Sequence, residues 1–409
     1  MKRHLNLFLL LTILLVSLSG CNKKTSDDVI PTSIDKVEID EKFISSTLDF
    51  SVEIFKASWD GETNALISPT SIMVVLAMTA NGANDETLAQ MEMVLGRDIP
   101  LVELNKYLHS YLNALPSEEK VKFLFANSIW IKDCYLSIND DFLQLNTDYY
   151  SADIFKVTFD DGTVKEVNTW VDKNTNGMIQ ELVKEFSPAT VLVLINAITF
   201  EAEWAVPYTI DSIRKNAEFT TISGSKEKVE MMHSKERLYL ENDKVTGFMK
   251  PYANEDYYFV ALLPKEGVDI SDYIAQISGQ EITELLGNQE IIEVSVSIPK
   301  FSYSFDIQLK DILVDMGMSD AFSEGVADFS KMVDSEDYNF FVSEVIHKTY
   351  INVDEVGTKA GAVTGVIMET TSAPIDSKVV VLDRPFVYMI VDKYTNLPIF
   401  IGVVTSIQP

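Results

Sequence analysis

Apolar residues recur at helical spacing in several stretches of the first half of the chain. Within Ser46–Trp59, residues such as Leu48 and Val52 lie four positions apart, a spacing that places side chains on one face of an α-helix. Ser46 or Thr47 is the predicted N-cap of this helix. The same reasoning predicts four further helices, over Ser71–Asn81, Glu86–Leu95, Leu101–Leu112 and Val164–Thr175.

Runs of β-branched and aromatic residues predict strands, and such runs dominate the last part of the chain. Three are in the middle of the sequence, at Thr190–Phe200, Tyr257–Leu263 and Ile291–Ile298. Four close it, at Phe340–Tyr350, Lys378–Leu382, Val387–Val391 and Ile399–Val404. Helices and strands do not alternate regularly, and no internal repeat or break is visible. The pattern therefore predicts one α+β domain rather than a βαβ series.

The N-terminus has the pattern of a secretory signal. Lys2 and Arg3 precede the apolar run Leu5–Leu18, which is too short and wrongly flanked for a spanning helix. Leu18-Ser19-Gly20-Cys21 is similar to a bacterial lipobox, in which cleavage leaves a lipid on the cysteine. We expect a signal over residues 1–20 and lipidation at Cys21. The alternative is an ordinary signal followed by a chance cysteine.

A lipid at Cys21 would attach the protein to the outer face of a bacterial membrane without a spanning segment. Residues 21–43 are mostly polar, lack periodicity and are predicted to be a tether, with the folded domain at 44–409. The expected location is the extracellular face of the membrane, with release to the extracellular space as the alternative. Contact with the membrane is expected only through the lipid.

Composition narrows the range of partners. The 409 residues carry a formal net charge of −29, which would repel the phosphates of nucleic acid. A hydrophobic fraction of 46% is typical of a packed globular fold. The chain contains two cysteines, so a lipidated Cys21 would leave Cys134 without an internal disulfide partner.

Motifs for catalysis are missing from the sequence. It contains no G-x-S-x-G, H-E-x-x-H, Walker or C-x-x-C pattern, so we expect neither an enzyme, a metal site nor a cofactor. His347 stands alone in a strand-like run, where a histidine is more often a hydrogen-bonded core residue than a general base.

The segment Thr358–Thr370 shows a period of two when it is read as a strand. Its even positions are small or apolar: Thr358, Ala360, Ala362, Thr364, Val366 and Met368. Both of its charges, Lys359 and Glu369, fall on odd positions. Because neighbouring side chains of a strand point to opposite faces, this segment could enter a sheet with its charges toward solvent. A slip by one residue would bury both charges.

The same region resembles the hinge of the serpins, in which an acidic residue and Gly-Thr precede small residues. The matching hinge positions are Glu355, Gly357, Thr358, Ala360, Gly361, Ala362 and Thr364. Gly361 departs from the usual alanine run but is small. Other blocks similar to serpin motifs follow in family order: Leu66–Ile72, Asn81–Ala83, Asn168–Val171, Leu194–Phe200, Ile298–Phe301, Met316–Met318, Ala327–Ser330, Glu344–Lys348, Asp383–Phe386 and Phe400–Gly402.

This resemblance implies a serpin fold with mixed multi-stranded sheets, about eight to nine helices and an exposed reactive-centre loop at about 355–377. It implies a monomeric, irreversible, suicide-substrate inhibitor of serine proteases, with cysteine proteases as an alternative target. It also implies a set of residues where the central sheet opens: Ser68, Ser71, Asn196, Trp204 and His347.

Counting along the loop from Gly357 places the reactive bond between Thr371 and Ser372. Met368, Glu369 and Thr370 flank the two alternative bonds, Met368-Glu369 and Thr370-Thr371. A small β-branched residue before the bond favours an elastase-like or subtilisin-like protease. Three rival interpretations stay open: a non-inhibitory serpin that acts as a carrier or chaperone, a surface lipoprotein that binds ligands or builds the envelope, and, third, an enzyme.

Overall fold

A computed structural model describes residues 29–133, 138–188, 190–333, 340–358 and 378–408. These residues form nine α-helices: α1 (Glu41–Ser58), α2 (Pro69–Ala80), α3 (Asp85–Leu95), α4 (Leu101–Leu112), α5 (Asp140–Tyr150), α6 (Asp161–Asn174), α7 (Ile270–Gln276), α8 (Gly279–Gly287) and α9 (Lys310–Asp315). Two short 3₁₀ turns lie at Ile210–Ser212 and Asp320–Phe322.

The same residues form fifteen strands: β1 (Ala65–Ile67), β2 (Val121–Lys132), β3 (Asp153–Val157), β4 (Leu192–Glu203), β5 (Ile213–Thr220), β6 (Lys226–Glu241), β7 (Val245–Pro251), β8 (Tyr257–Pro264), β9 (Glu290–Pro299), β10 (Phe301–Gln308), β11 (Ile346–Val353), β12 (Gly357–Thr358), β13 (Lys378–Val381), β14 (Phe386–Asp392) and β15 (Pro398–Val404). The α+β class expected from the sequence is confirmed.

Two sheets organise the fold. The six-stranded sheet has the order β10-β11-β12-β4-β2-β3. The nine-stranded sheet runs β1-β15-β14-β8-β7-β6-β9-β13, with β5 paired to β6. Helix α2 contacts β4 of the first sheet and β15 of the second, and every residue of α2 except Val75 is buried. An apolar helix of this kind belongs in the interior of a large domain.

The five predicted helices exist, but all except α4 begin earlier than expected, α3 at Asp85 and α6 at Asp161. α1 begins at Glu41, and its N-cap is Asp40, whose carboxylate accepts the N–H of Phe43, rather than Ser46 or Thr47. α2 begins at Pro69, the position where proline is favoured, and Ser68 is its N-cap.

The predicted strand Phe340–Tyr350 is wrong in its first half, since β11 begins at Ile346. Phe340, Val342 and Val345 instead pack against the main hydrophobic core. Their apolar character reflects this packing, because strand-like composition indicates a half-buried surface rather than pairing itself.

Part of the predicted tether is bound to the domain. The carboxylate of Asp148 accepts hydrogen bonds from the backbone N–H and the hydroxyl of Thr32, at 2.6 and 2.7 Å. The N–H of Val37 donates to Ser110 Oγ over 2.9 Å. These contacts join residues preceding α1 to α4 and α5. None of the helices in the described residues is long and apolar enough to cross a membrane.

Candidate functional site

The start of the predicted bait loop already lies inside the six-stranded sheet. Strand β12 sits between β11 and β4, with Thr358 opposite Val353 on one side and Ala202 on the other. Gly357 pairs with Glu203. The remaining hinge and reactive-bond residues lie outside the described residues: Ala360, Gly361, Ala362, Thr364, Met368, Glu369, Thr370, Thr371 and Ser372.

Both residues of β12 fit their places closely. A Cβ atom on Gly357 would stand 1.9 Å from the carbonyl oxygen of Ala202, so a side chain there would force the strands apart. Thr358 is 3% exposed, and its hydroxyl shares a hydrogen bond of 2.7 Å with the Tyr252 hydroxyl. Tyr252 is itself fully buried. The sheet therefore accepts one small even-numbered side chain of the loop and satisfies its polar atom.

Beyond Thr358, β4 and β11 face each other across a space that we call the insertion gap. In the described part of the chain, no strand other than β12 pairs with the facing edges of β4 and β11. The cleft there is lined by residues of β4, β11 and their neighbours, among them Ile198, Phe200, Tyr350, Ile351 and Leu66. An apolar cleft between two strand edges can accept a further strand.

Trp204 connects the top of this sheet to the turn that precedes β12. Its indole Nε1–H donates to the Asp354 carbonyl over 2.9 Å, and its backbone N–H donates to the Val356 carbonyl over 2.8 Å. The Asp354 carboxylate in turn accepts the N–H groups of Val356 and Gly357, at 2.9 and 3.2 Å. The hinge thus leaves β11 through a turn whose backbone groups are largely paired.

A buried ion pair lies next to the ring of Trp204. Lys250 Nζ lies 2.7 Å from Glu236 Oε1, and these side chains are only 2% and 9% exposed. The same ammonium stands 5.4 Å from the Trp204 ring and 4.6 Å from the Tyr208 ring. Removing one partner would leave the other charge buried and unpaired, at a cost of roughly 3–5 kcal/mol.

Glu355, the first hinge position, is held by an ion pair. Lys300 Nζ lies 2.7 Å from the Glu355 carboxylate and 2.9 Å from that of Glu230. The hydrogen bond from Lys300 lowers the pKa of Glu355. Tyr208 also donates its backbone N–H to the Glu355 carbonyl over 2.8 Å. Glu355, where the hinge begins, is therefore bound to β6 through Lys300 and to the segment that follows Trp204.

Four of the five residues predicted for sheet opening meet at one place, where α2 starts beside the sheet. The backbone N–H of Ser68 donates to His347 Nε2 over 3.0 Å. Ser71 Oγ donates to Asn196 Oδ1, and Ser68 Oγ donates to the Ile399 carbonyl over 2.8 Å. Trp204 lies apart, at the end of β4. The role of these residues in sheet opening stays a prediction.

The protonation state of His347 follows from this geometry. Burial lowers the pKa of His347 to about 3. Because Nε2 accepts the Ser68 N–H, the ring is neutral with its proton on Nδ1. As expected, His347 is a hydrogen-bonded core residue.

Several contributors were not identified from the sequence. Asn127 extends the network, since its Oδ1 accepts from Asn196 Nδ2 over 2.9 Å. Thr349 Oγ1 donates to the Leu66 carbonyl over 2.7 Å. Tyr252 and Lys300 were also missed. Each pairs with a residue far away in the sequence, so no local pattern signals it.

The described residues contain no group of three or more His, Cys, Asp or Glu side chains placed to hold a metal ion. Cys21 lies outside the described residues, as does Cys134.

Comparison with known proteins places this geometry in one family. The family model described as Serpin (serine protease inhibitor) matches residues 45–407. An uncharacterized serpin-like protein of Thermococcus kodakarensis is 31% identical, over 96% of this chain and 97% of its own. The leukocyte elastase inhibitor of Bos taurus is 30% identical, over 90% of this chain and 100% of its own.

A solved structure agrees with these sequences. The crystal structure of the thermophilic serpin tengpin in the native state is 48% identical, covers 94% of this chain and 99% of its own, and gives a TM-score of 0.90.

Proposed function

Because the chain belongs to the serpin family, we propose that it is a single-use inhibitor of serine proteases. The observation that carries this proposal is strand β12. Its two residues occupy the top of the insertion gap, between β4 and β11, and the chain that follows has the parity of an inserting strand. Cysteine proteases are the alternative target.

The chain's own geometry explains how inhibition would follow. A serine protease attacks the bait bond and becomes acylated. The cut loop then enters the insertion gap with its even positions inward, following the register that Thr358 already has. Thirteen residues from Thr358 to Thr370 span roughly 40 Å as a strand. The tethered enzyme is therefore carried along the inhibitor before water can release it.

New strand pairing supplies the driving force. About a dozen hydrogen bonds at roughly 1 kcal/mol each, together with buried apolar surface, give on the order of ten kcal/mol. This is comparable to the stability of a whole domain.

The reactive bond that we favour is Thr371-Ser372, with Met368-Glu369 and Thr370-Thr371 as alternatives. A threonine before the bond fits the shallow pocket of an elastase-like or subtilisin-like protease. The similarity to a relative named leukocyte elastase inhibitor supports the same preference.

Incubation of the mature domain with a panel of serine proteases tests the function. An inhibitor forms an adduct that survives SDS, and the mass of the released C-terminal peptide identifies the bond. A peptide that begins at Ser372 supports the favoured bond. Cleavage without any adduct would instead support a non-inhibitory member of the family.

We further propose that the protein is a monomer anchored through a lipid on Cys21 to the outer face of a membrane. Detergent phase partition of the full chain, expressed in a bacterium, tests the anchor. We expect the wild type in the detergent phase and Cys21→Ser in the aqueous phase. Cys134→Ser is the matched control and should partition like the wild type. Equal partition of both variants would refute the anchor.

A further inference from the structure

The exposed side of the β5–β6 hairpin is rich in basic residues, although the whole chain carries a net charge of −29. Six lysines and arginines of this hairpin are exposed: Arg214, Lys215, Lys226, Lys228, Lys235 and Arg237. Of its five carboxylates, those of Glu218, Glu230 and Glu241 are on side chains that are 48%, 42% and 32% exposed. The local charge therefore opposes that of the rest of the molecule.

Three of these cations have no counter-ion among the residues that the structure describes. Arg214, Lys215 and Arg237 form no ion pair within the described part of the chain. Lys226 and Lys228 share the single carboxylate of Glu218, at 2.8 Å each. Lys235 pairs with Glu293 at 2.8 Å, but both side chains are more than half exposed, so that pair is weak.

The carboxylates of the hairpin are already engaged elsewhere. Glu236 binds the buried Lys250, and Glu230 binds Lys300. Glu227 accepts the Ser406 hydroxyl and the N–H of Ile407, at 2.6 and 2.8 Å. Lysines outside the hairpin thus neutralise Glu236 and Glu230, whereas Glu227 binds only neutral donors and keeps its negative charge.

Residues of strand β6 form ion pairs near both ends of the bait loop. Near one end of β6, Glu230 is linked through Lys300 to Glu355, where the loop begins. At the other end, Glu241 Oε2 lies 2.9 Å from the ammonium of Lys378, where the chain returns as β13. The two described residues that bound the bait loop, Glu355 and Lys378, are therefore both joined to β6 by ion pairs.

Two exposed apolar residues adjoin the same surface. Val206 and Ile210 are 73% and 87% exposed. They lie in the segment that holds Glu355 through Tyr208, and the 3₁₀ turn Ile210–Ser212 packs against β6. Apolar residues next to arginines are typical of protein–protein interfaces.

Arg214 of β5 pairs with Met231 of β6, two residues before His233. Burial and the positive charge of Arg214 together lower the pKa of His233. Side chains two residues apart on a strand share a face, so His233, Lys235 and Arg237 follow Met231 on the face that Arg214 also occupies. We call this surface the basic face and define it by Arg214, Lys215, Lys235 and Arg237.

We propose that the basic face, with Val206 and Ile210, is a docking surface for an acidic patch beside the active site of the target protease. This inference rests on the proposed inhibitory function. The basic face would select the target protease together with the bait sequence. Charges farther away than the Debye length of about 10 Å at 0.1 M salt are screened. A docked protease therefore interacts with the positive charges of the basic face, while the more distant negative charges of the chain are screened.

The rate of covalent complex formation measures this docking. A protease that forms the SDS-stable adduct is mixed with the inhibitor at 25 to 400 mM NaCl, and the second-order rate constant is determined. For the wild type we expect the rate to fall about tenfold as salt rises. The variant Arg214→Glu/Arg237→Glu should start about tenfold slower at low salt and lose the salt dependence.

Matched variants separate docking at the basic face from an effect of the net charge of the chain. Lys106→Glu/Lys165→Glu changes the net charge equally, on exposed lysines of α4 and α6, and should behave like the wild type. Ile210→Ser should slow complex formation at every salt concentration. The final yield of adduct should be the same in all variants, because the bait loop is unchanged.

Several results would overturn the proposal. Adduct formation at equal rates by the wild type and the arginine variant would refute the basic face while leaving the inhibitory function intact. A wild-type rate that rises with salt would also refute the basic face and leave the inhibitory function intact. Dimers of the wild type at low salt that are lost in the arginine variant would identify the partner as a second copy of this chain. Absence of adduct with every protease would instead refute the inhibitory function itself.

Discussion

At the scale of single residues, Thr358 marks where the bait loop already lies in the sheet. Its side chain is buried beside Tyr252, so Thr358→Arg would place an unpaired charge there at a cost of roughly 3–5 kcal/mol. We expect this variant to be cleaved as a substrate without adduct formation. The measurement is the ratio of adduct to cleaved inhibitor on SDS gels.

Val363→Arg is the matched control, since it introduces the same side chain at an odd position of the loop. It should still form the adduct. Equal loss of adduct in both variants would contradict the assigned parity, and retention in Thr358→Arg would contradict the need to bury this residue.

His347 should make the native state sensitive to acid. An unfolded histidine has a pKa of about 6.5, and burial lowers the pKa of His347 to about 3. Unfolding therefore takes up a proton between these values, so the stabilisation is complete above about pH 6.5 and is lost as the pH falls toward 3. The loss amounts to on the order of 5 kcal/mol.

Denaturant unfolding between pH 4 and 7 checks this expectation. His347→Gln keeps a hydrogen-bonding side chain without a titrating ring and should flatten the pH dependence in that range. Identical slopes for the wild type and the variant would rule out His347 as the source.

Some residue roles were predictable because they are local. Period-two parity placed Thr358 on the inward face, and an isolated histidine in an apolar run indicated a core position. The partners of these residues were not predictable. Tyr252 is 106 positions from Thr358, and Ser68 is 279 positions from His347, so only the completed fold brings each pair together.

At the scale of elements, the sequence pattern predicted five of the nine described helices and seven of the fifteen described strands, and for most of these it did not predict the ends. α1 begins at Glu41 because Asp40 caps it, whereas the charged residues around Asp40 resembled a tether. Residues 340–345 have strand-like composition, but they lie outside the strands and pack against the core. Both differences arise from tertiary contacts, which local sequence does not encode.

Strand β13 is held by few contacts, which makes its anchor testable. It has four residues and pairs only with β9 among the described strands. Lys378, its first residue, binds the Glu241 carboxylate at 2.9 Å and lies 4.6 Å from the Tyr239 ring. Hydrogen bonds from Lys265 and Lys378 lower the pKa of Glu241 to about 2. Glu241 is thus an anchor for the returning end of the loop.

Glu241→Gln should release β13 more readily. A loss of about 0.5–1 kcal/mol, typical of a partly exposed pair, corresponds to roughly two- to fivefold faster loss of inhibitory activity on heating. The half-life of activity at a fixed temperature measures it. Glu218→Gln is the control, since Glu218 also binds two lysines but does not contact β13. Equal half-lives for both variants would contradict the anchor.

At the scale of the whole molecule, the proposed inhibition depends on a sheet that gains a strand. The sequence predicted a segment able to insert, through parity and resemblance. It could not predict where the sheet would receive that segment. β4 and β11 are separated by about 140 residues along the chain, and only the sheet order shows β12 between them.

The central claim is that the bait loop fills the insertion gap after cleavage. Hydrogen exchange of the backbone amides of β4 and β11, before and after cutting the loop with a protease that is not trapped, tests this most directly. We expect the amides on the facing edges of these strands to become strongly protected, while those of β14, which is paired on both sides, stay unchanged. Unaltered exchange in β4 and β11 after complete cleavage would contradict the account.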